Sequence, residues 1–176
     1  MKISDIKTKE QKPGTYAGAK FDTETNKALH KYMSDNKIPN AIRPDKIHTT
    51  ILYSRKHCPN YTPLGKLKHP WVATPVEFVV WKTNGADGGT PANCLVLKLD
   101  CKELKDRHEE LMKQHNATYD YDEYSPHVTL SYDIGDTDVS KLPKIFDSVK
   151  HLNVVEEYGE DLDLNWAKNK GTKKGS

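Results

Sequence analysis

Two stretches decide how this chain is read: Asp45-Lys46-Ile47-His48-Thr49-Thr50-Ile51-Leu52-Tyr53 and Ser125-Pro126-His127-Val128-Thr129-Leu130-Ser131-Tyr132. Both contain His-x-Thr-x-x-Tyr and alternate in the manner of a β-strand, whose side chains repeat every two residues. Strict alternation puts His48, Thr50 and Leu52 on one side, with Ile47, Thr49, Ile51 and Tyr53 on the other. In the second copy it puts His127 and Thr129 together, and turns Val128, Leu130 and Tyr132 toward the core.

Upstream of each stretch lies the same sequence of signals. Residues 15–21 are β-tolerant, and Asp22 or Thr23 can cap a helix over about residues 24–36 with Ala28, Leu29, Tyr32 and Met33 on one face. Residues 94–99 form a second strand feeding a helix over about residues 101–115. There Asp100 and Glu103 have capping-box spacing, and Leu104, His108, Leu111 and Met112 form the apolar side. From Asp22 to His48 is 26 residues and from Asp100 to His127 is 27. The chain is therefore expected to be an internally duplicated α+β protein with two lobes, each an antiparallel sheet with a helix. Its two histidines would then face each other across a central cleft.

Further strands are expected over residues 74–82, 152–158 and 161–166, while residues 55–75, rich in proline and polar side chains, show no readable pattern. One domain over residues 14–167 accounts for the length, with a flexible N-terminus at 1–13 and a disordered Lys-rich tail at 168–176. The net charge of +2 belongs to that tail. Setting aside its four lysines leaves 23 of the 27 basic side chains against all 25 acidic ones. A body with that balance offers no broad basic face for duplex nucleic acid. Mean hydropathy is −0.82, and no apolar run is long enough for a membrane helix or the core of a signal peptide. Three cysteines with no CxxC pair exclude a disulfide framework and a zinc ribbon and point to the cytoplasm. No set of His, Cys and acidic residues has metal-ligand spacing, so neither a metal nor a cofactor is expected.

Two imidazoles flanking a phosphodiester suit metal-free cleavage. One takes a proton from the attacking hydroxyl and the other gives one to the leaving oxygen, because histidine titrates near neutral pH. Threonine hydroxyls beside them can donate to the non-bridging oxygens as charge builds. His48, Thr50, His127 and Thr129 are the candidate catalytic residues.

The paired motifs resemble those of the 2H phosphoesterase superfamily, and most closely its phage anti-CBASS branch, whose members degrade cyclic di- and trinucleotides such as cyclic GMP-AMP. Gly14-Thr15-Tyr16, Val79-Val80-Trp81, Glu156-Glu157-Tyr158 and Asp161-Leu162-Asp163-Leu164-Asn165-Trp166 fit that branch, so the resemblance covers about residues 14–166. It implies a bilobal duplicated fold, a metal-independent phosphodiesterase and action in the host bacterial cytoplasm. It also implies base stacking on Tyr16 and Trp81, with a base or ribose contact from Glu156 or Glu157. The choice leans to Glu157 because Tyr158 follows it. The alternatives are a 2′,3′-cyclic phosphate or RNA-end-processing enzyme of the same superfamily, and a non-enzymatic cyclic-nucleotide sponge.

Overall fold

A computed structural model describes residues 12–84 and 90–163; the expected flexible N-terminus falls largely, and the Lys-rich tail and Trp166 wholly, outside the described residues. The elements are β1 (Gly14–Phe21), α1 (Thr23–Asp35), β2 (Thr49–Ser54), β3 (Gly65–Asn84), β4 (Pro91–Asp100), α2 (Lys102–His115), β5 (His127–Ser131) and β6 (Leu152–Leu162). The expected α+β class with duplicated antiparallel sheets is what the chain forms. Its strands close in the order β1-β2-β5-β4-β3-β6.

β1, β2 and β6 belong to one lobe and β4 and β5 to the other. The 20-residue β3 serves both, pairing with β6 through Gly65 to Ala73 and with β4 through Thr74 to Asn84. Its first half was unreadable in sequence. On the cleft side β2 and β5 pair where Thr49 stands opposite Val128.

The two helices are exchanged between lobes. On α1, Leu29, Tyr32 and Met33 are buried; the Tyr32 ring lies 5.8 Å from Phe78 of β3, and its hydroxyl donates to the Pro143 carbonyl. On α2, which follows β4, Arg107 bonds Glu157 of β6, and the His108 ring nitrogen Nδ1 bonds the Ile51 carbonyl of β2. Each half thus covers the other's sheet, which locks the lobes around the cleft.

Asp22 caps α1, its carboxylate accepting from the Thr25 amide at 2.8 Å. The capping box expected at Asp100 does not form. Cys101 occupies the cap position of α2 without a side-chain bond to the helix amides, and Asp100 closes β4 instead, exposed and loosely paired to Lys105.

Strict alternation also fails, at matching points in both motifs. β1 partners run Ala17 to Leu52 and then Gly18 to Thr50, so Ile51 is an extra residue in β2. β4 partners run Leu95 to Ser131 and then Val96 to Thr129, so Leu130 is an extra residue in β5. A β-bulge sets two residues against one and resets the alternation. Tyr53 therefore joins the His48 and Thr50 side, and Tyr132 joins His127 and Thr129, 54% exposed rather than in the core. Ile51 with Leu52, and Leu130 with Ser131, are the fully buried pairs.

Candidate active site

The Thr49–Val128 pair, extended one step each way, sets His48 opposite Thr129 and Thr50 opposite His127, all four on one face. The Thr49 hydroxyl pins the crossing by donating to the His127 carbonyl at 2.6 Å. The register brings together the four residues singled out from the motifs.

Both histidines are held identically. Nδ1 of His48 is 2.9 Å from the Lys46 carbonyl, and Nδ1 of His127 is 2.9 Å from the Ser125 carbonyl, two residues back in each case. A carbonyl only accepts, so Nδ1 carries the hydrogen and Nε2 is left to exchange protons. Burial holds the His127 pKa below its ordinary value. The Ser125 carbonyl opposes that effect, while His48 and Lys98 add to it.

Thr50 is held from two sides. Its hydroxyl lies 2.9 Å from the Tyr16 hydroxyl, and its carbonyl accepts from the Tyr124 hydroxyl at 2.7 Å. Tyr16 is only 9% exposed, and its ring meets His48, Tyr53 and Tyr158 at centroid distances of 6.1 to 6.4 Å. Burial and Tyr158 raise its pKa far above the ordinary phenol value. Tyr16 is thus a neutral phenol that buttresses Thr50 and lines the groove beside His48. Trp81 is 42% exposed, and its ring is 4.7 Å from that of His127.

Two hollows of about 790 and 760 Å³ flank the histidines and share Thr50 and Tyr53. The first holds His127, Trp81, Tyr119 and Tyr121, and the second holds His48, Tyr16, Lys20, Tyr132, Tyr158 and Glu160. They are the two arms of one groove. Tyr53 and Tyr132 belong to it through the bulges, while Tyr119 and Tyr121 come from the α2–β5 loop, whose sequence carries no motif.

The leaning toward Glu157 is corrected. Glu157 is 1% exposed, and both its oxygens are taken: Arg107 donates at 2.7 and 2.9 Å and the Tyr61 hydroxyl at 2.7 Å. It faces α2, away from the groove. Glu156 is on the other face of β6, opposite Lys20 and on the side of Tyr16 and Tyr158.

The chain is similar to known proteins over most of its length. The family model described as "Anti-CBASS protein Acb1" matches residues 13–169. The anti-CBASS protein Acb1 of Enterobacteria phage T4 is 37% identical over 170 residues, 95% of this chain and 97% of that protein. That of Vibrio phage KVP40 is also 37% identical, over 89% of this chain and 92% of its own length. Among solved structures, E. coli LigT complexed with ATP superposes with a TM-score of 0.50 at 10% identity, covering 90% of this chain and 92% of that one. That likeness shows a shared fold.

Proposed function

The chain belongs to the anti-CBASS protein Acb1 family, and on that premise we propose that its groove hydrolyses 3′,5′-phosphodiester bonds in cyclic di- and trinucleotide signals. Degrading the signal in the host bacterial cytoplasm keeps CBASS effectors silent. The observation that carries the reading is the crossing register, in which each histidine stands opposite the other strand's threonine.

His127 is the base. Its pKa is depressed, so the imidazole is neutral near pH 7 and Nε2 can take the proton of the ribose 2′-hydroxyl. The 2′-oxygen attacks phosphorus, His48 protonates the departing 5′-oxygen, and Thr50 and Thr129 donate to the non-bridging oxygens. Water then opens the 2′,3′-cyclic phosphate, with the histidines in exchanged roles. One nucleoside lies along Trp81, where an aromatic face accepts any base, and the other enters the arm lined by Tyr158. In this reading Glu156, opposite Lys20 on the groove face, contacts a ribose or base edge.

Chromatography of a cyclic dinucleotide after incubation with the protein in EDTA tests the reading. Linear product is expected, with turnover reduced about 10²- to 10⁴-fold by His48→Ala or His127→Ala. Intact dinucleotide recovered after denaturation makes the protein a sponge. Turnover confined to 2′,3′-cyclic mononucleotides makes it an end-processing enzyme.

A further inference from the structure

The duplication extends beyond the two motif strands. β1 ends Gly18-Ala19-Lys20-Phe21 before Asp22, and β4 ends Val96-Leu97-Lys98-Leu99-Asp100, so a lysine stands two residues before an aspartate at the end of each strand. Lys98 is directly opposite His127. Gly18 pairs with Thr50 and Ala19 with Thr49, which carries Lys20 to His48 one step on. The next strand out adds a carboxylate each time: Glu156 of β6 is opposite Lys20, and Glu77 of β3 is opposite Lys98. Two rows of His, Lys, Glu thus cross the sheet, related by the duplication. Residues opposite each other on adjacent strands share a face, with Cβ atoms about 5 Å apart.

Neither lysine is ion-paired to its glutamate among the described residues. Lys20 Nζ lies over the Tyr158 ring, 5.2 Å from its centre, in the arm of the groove that holds His48. Lys98 is half-buried beside His127.

We propose that Lys20 and Lys98 are part of the catalytic constellation, each supplying the cation for the phosphate that its neighbouring histidine serves. The inference rests on the phosphodiesterase reading and deepens it. A phosphodiester gains negative charge on its non-bridging oxygens as the 2′-oxygen attacks, and the threonines supply only neutral donors. The body of the chain is net acidic, so attraction for a dianionic cyclic dinucleotide has to be local. Two unpaired ammonium groups on the groove face provide it. Lys98 has a second effect, since a cation beside His127 favours the neutral imidazole that a base requires. Among the described residues, the other titratable and charged groups around His127 are His48 and Tyr53 on the β2 side, Glu77 and Lys82 on β3, and Tyr119, Asp120, Tyr121 and Glu123 from the α2–β5 loop. Of these, Asp120 is neutralised by Arg55.

Lys20→Met and Lys98→Met keep the aliphatic stem and remove the charge. Each is expected to lower kcat/KM on a cyclic dinucleotide about tenfold or more with an unchanged thermal melt. Lys98→Arg should restore most of the activity. In Lys98→Met the acid limb of kcat/KM moves upward, and Lys20→Met leaves that limb in place. NMR titration of the His127 imidazole needs no substrate and should show the same upward shift in Lys98→Met. Wild-type activity in both Met variants overturns the assignment, as does an unmoved His127 titration. A wild-type protein inactive on every cyclic di- and trinucleotide overturns the phosphodiesterase reading instead, and leaves the titration to decide the coupling of Lys98 to His127.

Discussion

Replacing Glu157 by alanine should damage stability and spare chemistry. The carboxylate has no exposed side-chain surface, and Arg107 is 9% exposed at its side chain. Three hydrogen bonds of 2.7 to 2.9 Å end on the two carboxylate oxygens. Removing one partner of a buried ion pair costs about 3–5 kcal/mol, because the other charge is left without compensation. Arg107 keeps one bond, at 2.6 Å, to the half-exposed Glu110, which puts the expected loss near the lower end, about 3 kcal/mol. For a chain of this size that corresponds to a fall in Tm of about 6–12 °C. Arg107→Met combined with Glu157→Leu should recover most of it, since a well-packed apolar pair replaces a buried ion pair at little cost. Thermal melts of the two single variants and the double variant, with kcat/KM measured at 15 °C where all are folded, make the test. A Glu157→Ala protein with an unchanged Tm and a hundredfold loss of kcat/KM would refute the placement of Glu157 in a structural pair.

Tyr16→Phe removes the hydroxyl that holds Thr50 and should lower kcat about tenfold with little change in KM; an unchanged kcat would mean Thr50 needs no positioning. Trp81→Ala should raise KM about 10- to 100-fold, the loss of one base-stacking contact, while kcat falls less; steady-state kinetics separate the two. His108 is buried, stacked on Tyr124 at 4.3 Å, and burial lowers its pKa. The unfolded chain therefore binds this proton more readily than the fold. The stability His108 contributes is complete above the ordinary histidine value of about 6.5 and is lost as pH falls from there toward the depressed folded value. His108→Phe should flatten the dependence of Tm on pH between about 7 and 5, and an unaltered slope would assign that dependence to other groups.

The duplication was legible because its markers are local: an aspartate before a helix, a fixed interval, and His-x-Thr opening a strand. Neither the bulges nor the helix exchange is of that kind. Ile51-Leu52 and Leu130-Ser131 read as ordinary steps of an alternating strand, and only the neighbouring strand reveals that two residues oppose one. The same limit hid Glu157. Adjacent glutamates in a strand face opposite ways, and which faces the groove depends on Arg107, 50 residues away on a helix that crosses to the other lobe. The first half of β3 was masked by His69-Pro70 and by alternating lysines, which suit a strand half-open to solvent.

A duplicated fold poses a problem for acid–base catalysis, because two equivalent histidines would titrate alike while the reaction requires one neutral and one protonated. The motifs are alike, and so are the anchors, each Nδ1 bonded to a carbonyl two residues back. The difference lies in what covers each row. Over His127 the Trp81 ring closes to 4.7 Å and Lys98 is half-buried, a setting in which adding a proton is costly. Beside His48 the corresponding lysine, Lys20, is exposed and lines the arm that also receives Glu160. The two lysines match in kind and in position and differ in exposure, so the asymmetry comes from what packs over each row and not from the repeat. In the proposed reaction the repeat supplies two matched proton carriers, and β3 with its tryptophan makes one of them the base.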